Sequence, residues 1–319
     1  MRGNKQAEKV LTQISKNVKS KKWNCIEPNC KEQAINSHML QRNGILNILA
    51  VNNHLIEIAQ EDYFKWEKNS PLKFKRKGLN RDAFSLKLFC KDHDNSIFKT
   101  LETEPIDFKC YENQLLLTYR SVCAEKRKKE INLEFLERAL KSEILYPRID
   151  MRPMESFVTG NNEGIKDLDF YQSDLISDIK NKTKVFHFEI FEYDLIEVYS
   201  TTNFSPYETL NTPIEERPLK LIFIHTIPYK RKLHIIVGYN KKYFKPYFNE
   251  YIKSWEGLSF IELQENLTNL FATKTENWGM SISLYESLNS QNIKSFMKYF
   301  QENSMNHLFN QKVNFNLFQ

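Results

Sequence analysis

Three cysteines and a histidine carry the clearest chemistry in this chain. Cys25 and Cys30 bound the stretch Cys25-Ile-Glu-Pro-Asn-Cys30, and Cys90 and His93 stand in Phe89-Cys90-Lys-Asp-His93-Asp94. A Cys-x4-Cys pair followed by a Cys-x2-His pair is the donor set of a tetrahedral Cys3His zinc site. A tight knuckle offers both thiolates of the first pair to one ion. The second pair, at i and i+3, offers two ligands from the first turn of a helix. The positive end of that helix also favours Cys90 as thiolate. Zn2+ in this reading is structural, and in small zinc domains such an ion supplies folding free energy on the order of 10 kcal/mol. Between the two pairs lies Ser37-His38.

Several elements must position these ligands. Residues 4–20 place Ala7, Val10, Leu11, Ile14 and Val18 on one helical stripe. Trp23 leads into the knuckle. Residues 34–40 read as a short hairpin strand, with Ile35 inward and His38 near its end. Residues 83–89 read as the strand that feeds the second pair. The intervening stretch is irregular, with an apolar run over 44–50, a turn at Asn52-Asn53-His54 and a strand over 55–59. Lys73-Phe-Lys-Arg-Lys-Gly78 is a basic loop or edge strand. Helices are expected from Asp92, over 108–129, over 133–144 and over 168–180, with Pro147 and Pro153 as punctuation. Cys110 and Cys123 read as buried structural thiols on the second of these.

The second half changes character. Residues 185–193, 195–199, 221–227 and 233–237 are rich in aromatic and β-branched residues and read as strands. The segment from Pro228 to Arg231 is the turn of a hairpin. His187, His225 and His234 alternate within these strands and read as sheet residues rather than ligands. Helices follow over 243–255, 260–271 and 293–302. The expected class is α+β: a zinc-stapled module with helices over 1–150, then an antiparallel sheet with helices on one side over 151–319.

The order Cys-x4-Cys, Ser37-His38, Phe89-Cys90-x2-His93-Asp94 resembles the HNH, or His-Me finger, nuclease module, a treble-clef zinc finger. The resemblance covers residues 20–105. It implies that His38 is the hairpin general base that activates water. It also implies that Asp94, directly after His93, helps hold a catalytic Mg2+ or Mn2+. Many members carry histidine there, and aspartate is a good ligand for a hard cation. The middle asparagine of the family, which orients the base, has no direct match. Asn80 and Ser85 lie upstream of Cys90, and Ser85 completes the catalytic set with His38 and Asp94.

Composition sets the outer bounds. The chain has 319 residues, 41% of them hydrophobic and 13% aromatic, enough for a large core and two domains. The formal net charge is +6. Lys5 to Lys31, Lys73 to Arg81 and Lys126-Arg127-Lys128-Lys129 are locally basic, as a polyanion-binding surface or an ordinary solvated face would be. Glycine is scarce, with 8 residues, and neither a P-loop nor a dinucleotide-binding fingerprint is present. The lysine-rich start has no apolar signal-peptide core, and no stretch is long enough to span a membrane. The 5 cysteines read as reduced thiols or metal ligands, which points to the cytoplasm.

Two functions follow as expectations. One is a metal-dependent nucleic-acid hydrolase of HNH-like type, suited to a host-defence or mobile-element protein. The other is a non-catalytic zinc-finger protein, in which the zinc is structural and the second half engages a protein or nucleic-acid partner.

Overall fold

The computed structural model describes residues 2–61, 70–80, 82–206, 212–303 and 312–319. Arg81, the last cation of the basic run that begins at Lys73, lies outside the described residues. The first half contains α1 (Arg2–Ser20), β1 (Asn36–His38), a π-helical turn over Arg42–Leu46 that runs into α2 (Asn47–Leu49), β2 (His54–Gln60), β3 (Leu72–Gly78), β4 (Ser85–Lys87), α3 (Lys91–Ile97), α4 (Lys99–Glu102) and α5 (Tyr111–Leu140). The second contains α6 (Arg152–Asn181), β5 (Phe186–Asp194), β6 (Val198–Phe204), β7 (Ile222–Tyr229), β8 (Lys232–Asn240), α7 (Pro246–Lys253), α8 (Phe260–Thr273), β9 (Trp278–Met280), α9 (Ile282–Ser287) and α10 (Ser290–Asn303). The class is α+β, as the pattern predicts. Among the described residues no helix is long and apolar enough to cross a membrane.

Two helices are longer than their hydrophobic stripes suggest. The segments expected over 108–129 and 133–144 form one helix, α5, because no Gly or Pro interrupts them. Charges at the junction pair within the helix: Arg127 with Glu130 at 3.2 Å, and Lys128 and Lys129 with Glu125 at 3.8 and 3.6 Å. Lys126 reaches across to Asp169. This basic run is therefore a salt-bridged helix face. Pro153 opens α6 instead of closing an element, since its fixed φ suits the first helical turn. Asp178 ends α6 by accepting the backbone N–H of Lys184 at 2.6 Å and of Val185 at 3.0 Å, which turns the chain into β5. Buried Ala7 and Leu11 of α1 pack beside Leu136 and Ala139 of α5. Cys123 is buried on α5, whereas Cys110 is exposed at the helix start.

The main sheet is antiparallel and seven-stranded, in the order β3-β2-β9-β6-β7-β8-β5. Strands from both sides of residue 150 share it. The basic stretch at 72–78 is its edge strand β3. Every residue of β7 is buried. Phe223 and Ile227 pack toward Leu116 of α5 and Tyr171 of α6. Ile222 and Ile224 pack toward Leu263 and Leu267 of α8. Helices thus cover both faces, not the single face expected. A continuous apolar strand such as 221–227 is the mark of burial on two faces.

His225 sits at the centre of the first of these interfaces. Thr118 Oγ1 already donates to the Gln114 carbonyl at 2.9 Å, so it accepts from His225 Nε2 at 3.2 Å. His225 Nδ1 then accepts from Thr201 Oγ1 at 2.7 Å. The neutral ring is satisfied at both nitrogens. Complete burial pushes its pKa down from 6.5 to about 3. The unfolded chain therefore binds a proton that the folded chain refuses, and stability is lost as pH falls below the unfolded value. Glu57, pushed by burial from 4.5 up to about 7, titrates in the opposite sense over an overlapping window. The test is consequently a difference between variants. Between pH 6 and pH 4, wild type is expected to lose up to about 1.4 kcal/mol per pH unit more than His225→Gln, measured by urea unfolding. Parallel pH dependences for the two proteins would refute this assignment.

Candidate metal centre and the residues around it

The knuckle is built from main-chain bonds. Cys25 N–H donates to the Glu32 carbonyl at 2.7 Å and Cys30 N–H to the Glu27 carbonyl at 3.1 Å. Asn29 takes the left-handed conformation at φ 66°, which asparagine tolerates better than most residues. Two further bonds, Ile26 N–H to Leu88 and Ile35 N–H to Phe89, both 2.8 Å, fasten the knuckle to the strand that precedes the second pair. Cys90 caps α3, so Cys90 and His93 share its first turn.

These features bring Cys25, Cys30, Cys90 and His93 together, with all four ligand atoms within 4.8 Å of one another. His93 Nδ1 lies 3.4 Å from Cys25 Sγ and 3.3 Å from Cys90 Sγ. Cys30 Sγ lies 3.9 Å from Cys90 Sγ, far beyond a disulfide bond. For bond lengths typical of zinc, a tetrahedron has edges of about 3.8 Å between sulfurs and about 3.5 Å between sulfur and nitrogen. The cluster can hold a metal ion without rearrangement, and its donors are those zinc takes. Burial, with the thiols of Cys30 and Cys90 close by, pushes the Cys25 thiol up to about 12. A cation is what would let these thiols ionise together.

The helical pair grips this centre from behind. Arg127, buried on α5, donates to the Asn24 carbonyl at 2.7 Å and lies over the Trp23 ring at 4.9 Å. Gln172 on α6 donates to the Ile26 carbonyl at 3.1 Å. The Tyr119 hydroxyl donates to Glu27. None of these three residues belongs to a recognisable motif, so only the tertiary structure reveals them.

β1 and β4 form a separate two-stranded ribbon in which His38 faces Ser85 across the register. Directly paired residues leave the same side of a ribbon, so the two side chains are neighbours. Ile35 precedes this ribbon and is 38% exposed, not inward as expected. His38 Nε2 contacts the Leu79 carbonyl at 3.2 Å. A carbonyl only accepts, so Nε2 carries the proton and Nδ1 keeps its lone pair. Burial lowers the His38 pKa below 6.5; the Leu79 bond and Glu102 oppose that, while Arg42 and Arg120 add to it.

The Asn80 side chain does not orient this ring; its Oδ1 accepts from Arg42. The orienting atom is the main-chain oxygen one residue earlier. Asp94 sits on α3 with its N–H on the Cys90 carbonyl at 2.9 Å. Asp94 Oδ1 and Ser85 Oγ are both shielded from solvent, with no hydrogen-bond partner among the described residues. The carboxylate whose charge acts on His38 is Glu102, which the sequence did not single out. Both Nη atoms of buried Arg120 donate to Glu102 Oε1 at 3.0 Å, and the guanidinium lies 4.0 Å over the Phe98 ring. Among the described residues the Cys3His cluster is the one group of three or more such ligands.

Comparison of the chain with protein-family models, curated proteins and solved structures yields no match.

The purified protein is expected to carry a single tightly bound metal ion per chain. Cobalt(II) in its place should give the strong visible absorption of a tetrahedral thiolate site. Cys90→Ser should lose the ion and destabilise the N-terminal module by an amount on the order of 10 kcal/mol. A metal-free protein whose thermal unfolding ignores both chelator and Cys90→Ser would remove the cluster as a metal site.

Proposed function

We propose that this chain is a metal-dependent nucleic-acid hydrolase of HNH-like type, with zinc as the structural ion of the Cys3His cluster. The observation that supports the reading best is the state of His38. Its Nε2–H is tied to the Leu79 carbonyl at 3.2 Å, and its Nδ1 lone pair is left as a base. Its lowered pKa keeps the ring neutral at neutral pH, as a general base must be.

In this reading His38 Nδ1 takes a proton from water as the water oxygen bonds to phosphorus. The bond from phosphorus to the leaving oxygen breaks, and that oxygen takes up a proton from solvent. Glu102 favours the imidazolium that forms, because a nearby negative charge stabilises it. Ser85, opposite His38, lines the same side of the ribbon. Asp94 would hold Mg2+ or Mn2+ through its carboxylate, and the ion would stabilise the negative charge that develops in the transition state. The free thiols of the described cysteines suit a reducing compartment such as the cytoplasm.

The grip of Arg127 and Gln172 on the knuckle favours a second reading. There the metal is only a clasp, and the chain binds a protein or nucleic-acid partner without chemistry.

Supercoiled DNA and labelled RNA incubated with Mg2+ or Mn2+ separate the two. The hydrolase reading expects cleavage that falls about 10²–10⁴-fold in His38→Ala, with metal content unchanged. It also expects the acid limb of the rate profile to lie below pH 6.5, since burial lowers the base. Zinc retained with no cleavage of either substrate would leave the clasp.

A further inference from the structure

A hairpin turn beside the candidate site breaks its own conformational rule. β7 ends at Tyr229 and β8 begins at Lys232, with these two residues paired, so Lys230 and Arg231 are the whole loop. Both have positive φ, 48° and 63°, which makes the turn type I′. That turn favours Asn-Gly, because a side chain with a full Cβ is strained there. This chain instead places two long cations at the tip, and both are exposed. Among the described residues neither has an ion-pair partner; Lys230 lies 5.2 Å over the Tyr229 ring.

The turn lines a depression of about 460 Å3. Asn43, Gly44, Ile48, Glu104 and Tyr229 line it as well. One oxygen of Glu104 accepts from the Tyr229 hydroxyl, and the other lies where a Cβ on Gly44 would stand. Gly44 is therefore needed for this close approach. The depression adjoins the residues proposed to act on phosphate. Asn43 and Gly44 belong to the π-helical turn that starts at Arg42, and Glu104 lies two residues beyond Glu102, the last residue of α4. Arg42 and Glu102 are two of the charges that act on His38.

We propose that the Lys230–Arg231 turn and the depression it lines bind a backbone phosphate of the nucleic-acid strand on which His38 would act. This rests on the hydrolase reading for the identity of the strand. The chemistry is charge pairing, which fixes a strand without reading its bases. It accounts for why a strained turn holds cations where a neutral Asn-Gly pair would fit the backbone better.

The test is the double substitution Lys230→Asn with Arg231→Gly. It restores the favoured turn while removing both charges, so stability and binding should move in opposite directions. The expected result is a higher melting temperature together with affinity lowered on the order of tenfold at low salt. The probes are a labelled DNA duplex and a labelled RNA strand, titrated without added Mg2+ or Mn2+. The slope of log affinity against log salt should become shallower by about 0.9 for each duplex phosphate that is no longer neutralised. The probe that shows this weakening identifies the strand. Weakened binding without cleavage by wild type would retain this subsite and reject the hydrolase. Cleavage with affinity and salt slope unchanged in the double variant would overturn the subsite and retain the hydrolase. No binding of either probe by wild type would overturn both.

Discussion

The first half depends on four side chains meeting at one point. β1 and β4 contain three residues each, and their connection leaves to build strands of another sheet. A two-stranded ribbon that small is marginal in water. Beside it, Cys25 and Cys30 approach Cys90 and His93 closely enough to share an ion. An ion there would close the long loop between the pairs and remove its closure entropy from folding. His38 and Ser85 stand on that ribbon, and Asp94 on the helix that Cys90 caps.

The same connection ties the ribbon to the main sheet. β2 and β3 leave after β1, join the sheet through β9 and return before β4. Leu79 follows β3 directly; its N–H donates to the Asn53 carbonyl at 2.8 Å and its own carbonyl meets His38. The protonation pattern of a residue on the small ribbon is therefore set by the edge of the large sheet. A slip of β3 by one residue would replace that carbonyl with a differently directed group. β3 pairs with β2 along its whole length, from Leu72 opposite Gln60 to Gly78 opposite His54, and Phe74 on it meets the Trp278 ring edge-on at 5.8 Å.

How much of this could be read from the sequence varies with the kind of atom involved. The metal cluster was legible because its ligands are rare side chains at diagnostic spacing. The class and the strands β5, β7 and β8 were legible from periodicity; β6 was read only as far as Tyr199, residues 73–78 read equally as loop or edge strand, and the three-residue β9 left no pattern. The joining of two helices into α5 was not, since an apolar stripe weakens where ion pairs take over, as at Lys128 and Lys129. Cover on both sheet faces is written in the unbroken apolar run of β7, which lacks the alternation of a one-sided strand. Leu79 was invisible, because a main-chain carbonyl leaves no mark on residue type. Glu102 was hidden for a different reason: its charge acts on His38 through space, and the two residues are far apart in sequence.

In the hydrolase reading, His38 would not need the middle asparagine that HNH nucleases carry. What the ring needs at the nitrogen remote from the reaction is one acceptor, fixed in place, to hold the proton there. An amide oxygen and a peptide oxygen are equivalent for that purpose. Leu79 meets the requirement of rigidity, being 1% exposed and bonded through its own amide. The remaining question is base strength, and opposing influences decide it. Burial, Arg42 and Arg120 weaken the base, while the carbonyl and Glu102 strengthen it, with burial the largest. A weaker base transfers a proton less readily, but it is unprotonated in a larger fraction of molecules as pH falls. Arg120 sharpens this balance: its positive charge opposes protonation of His38, yet its two bonds hold in place the Glu102 carboxylate that favours it. Removing Arg120 would therefore disturb both signs of the field at once, whereas removing Glu102 alone would leave the imidazolium facing two cations.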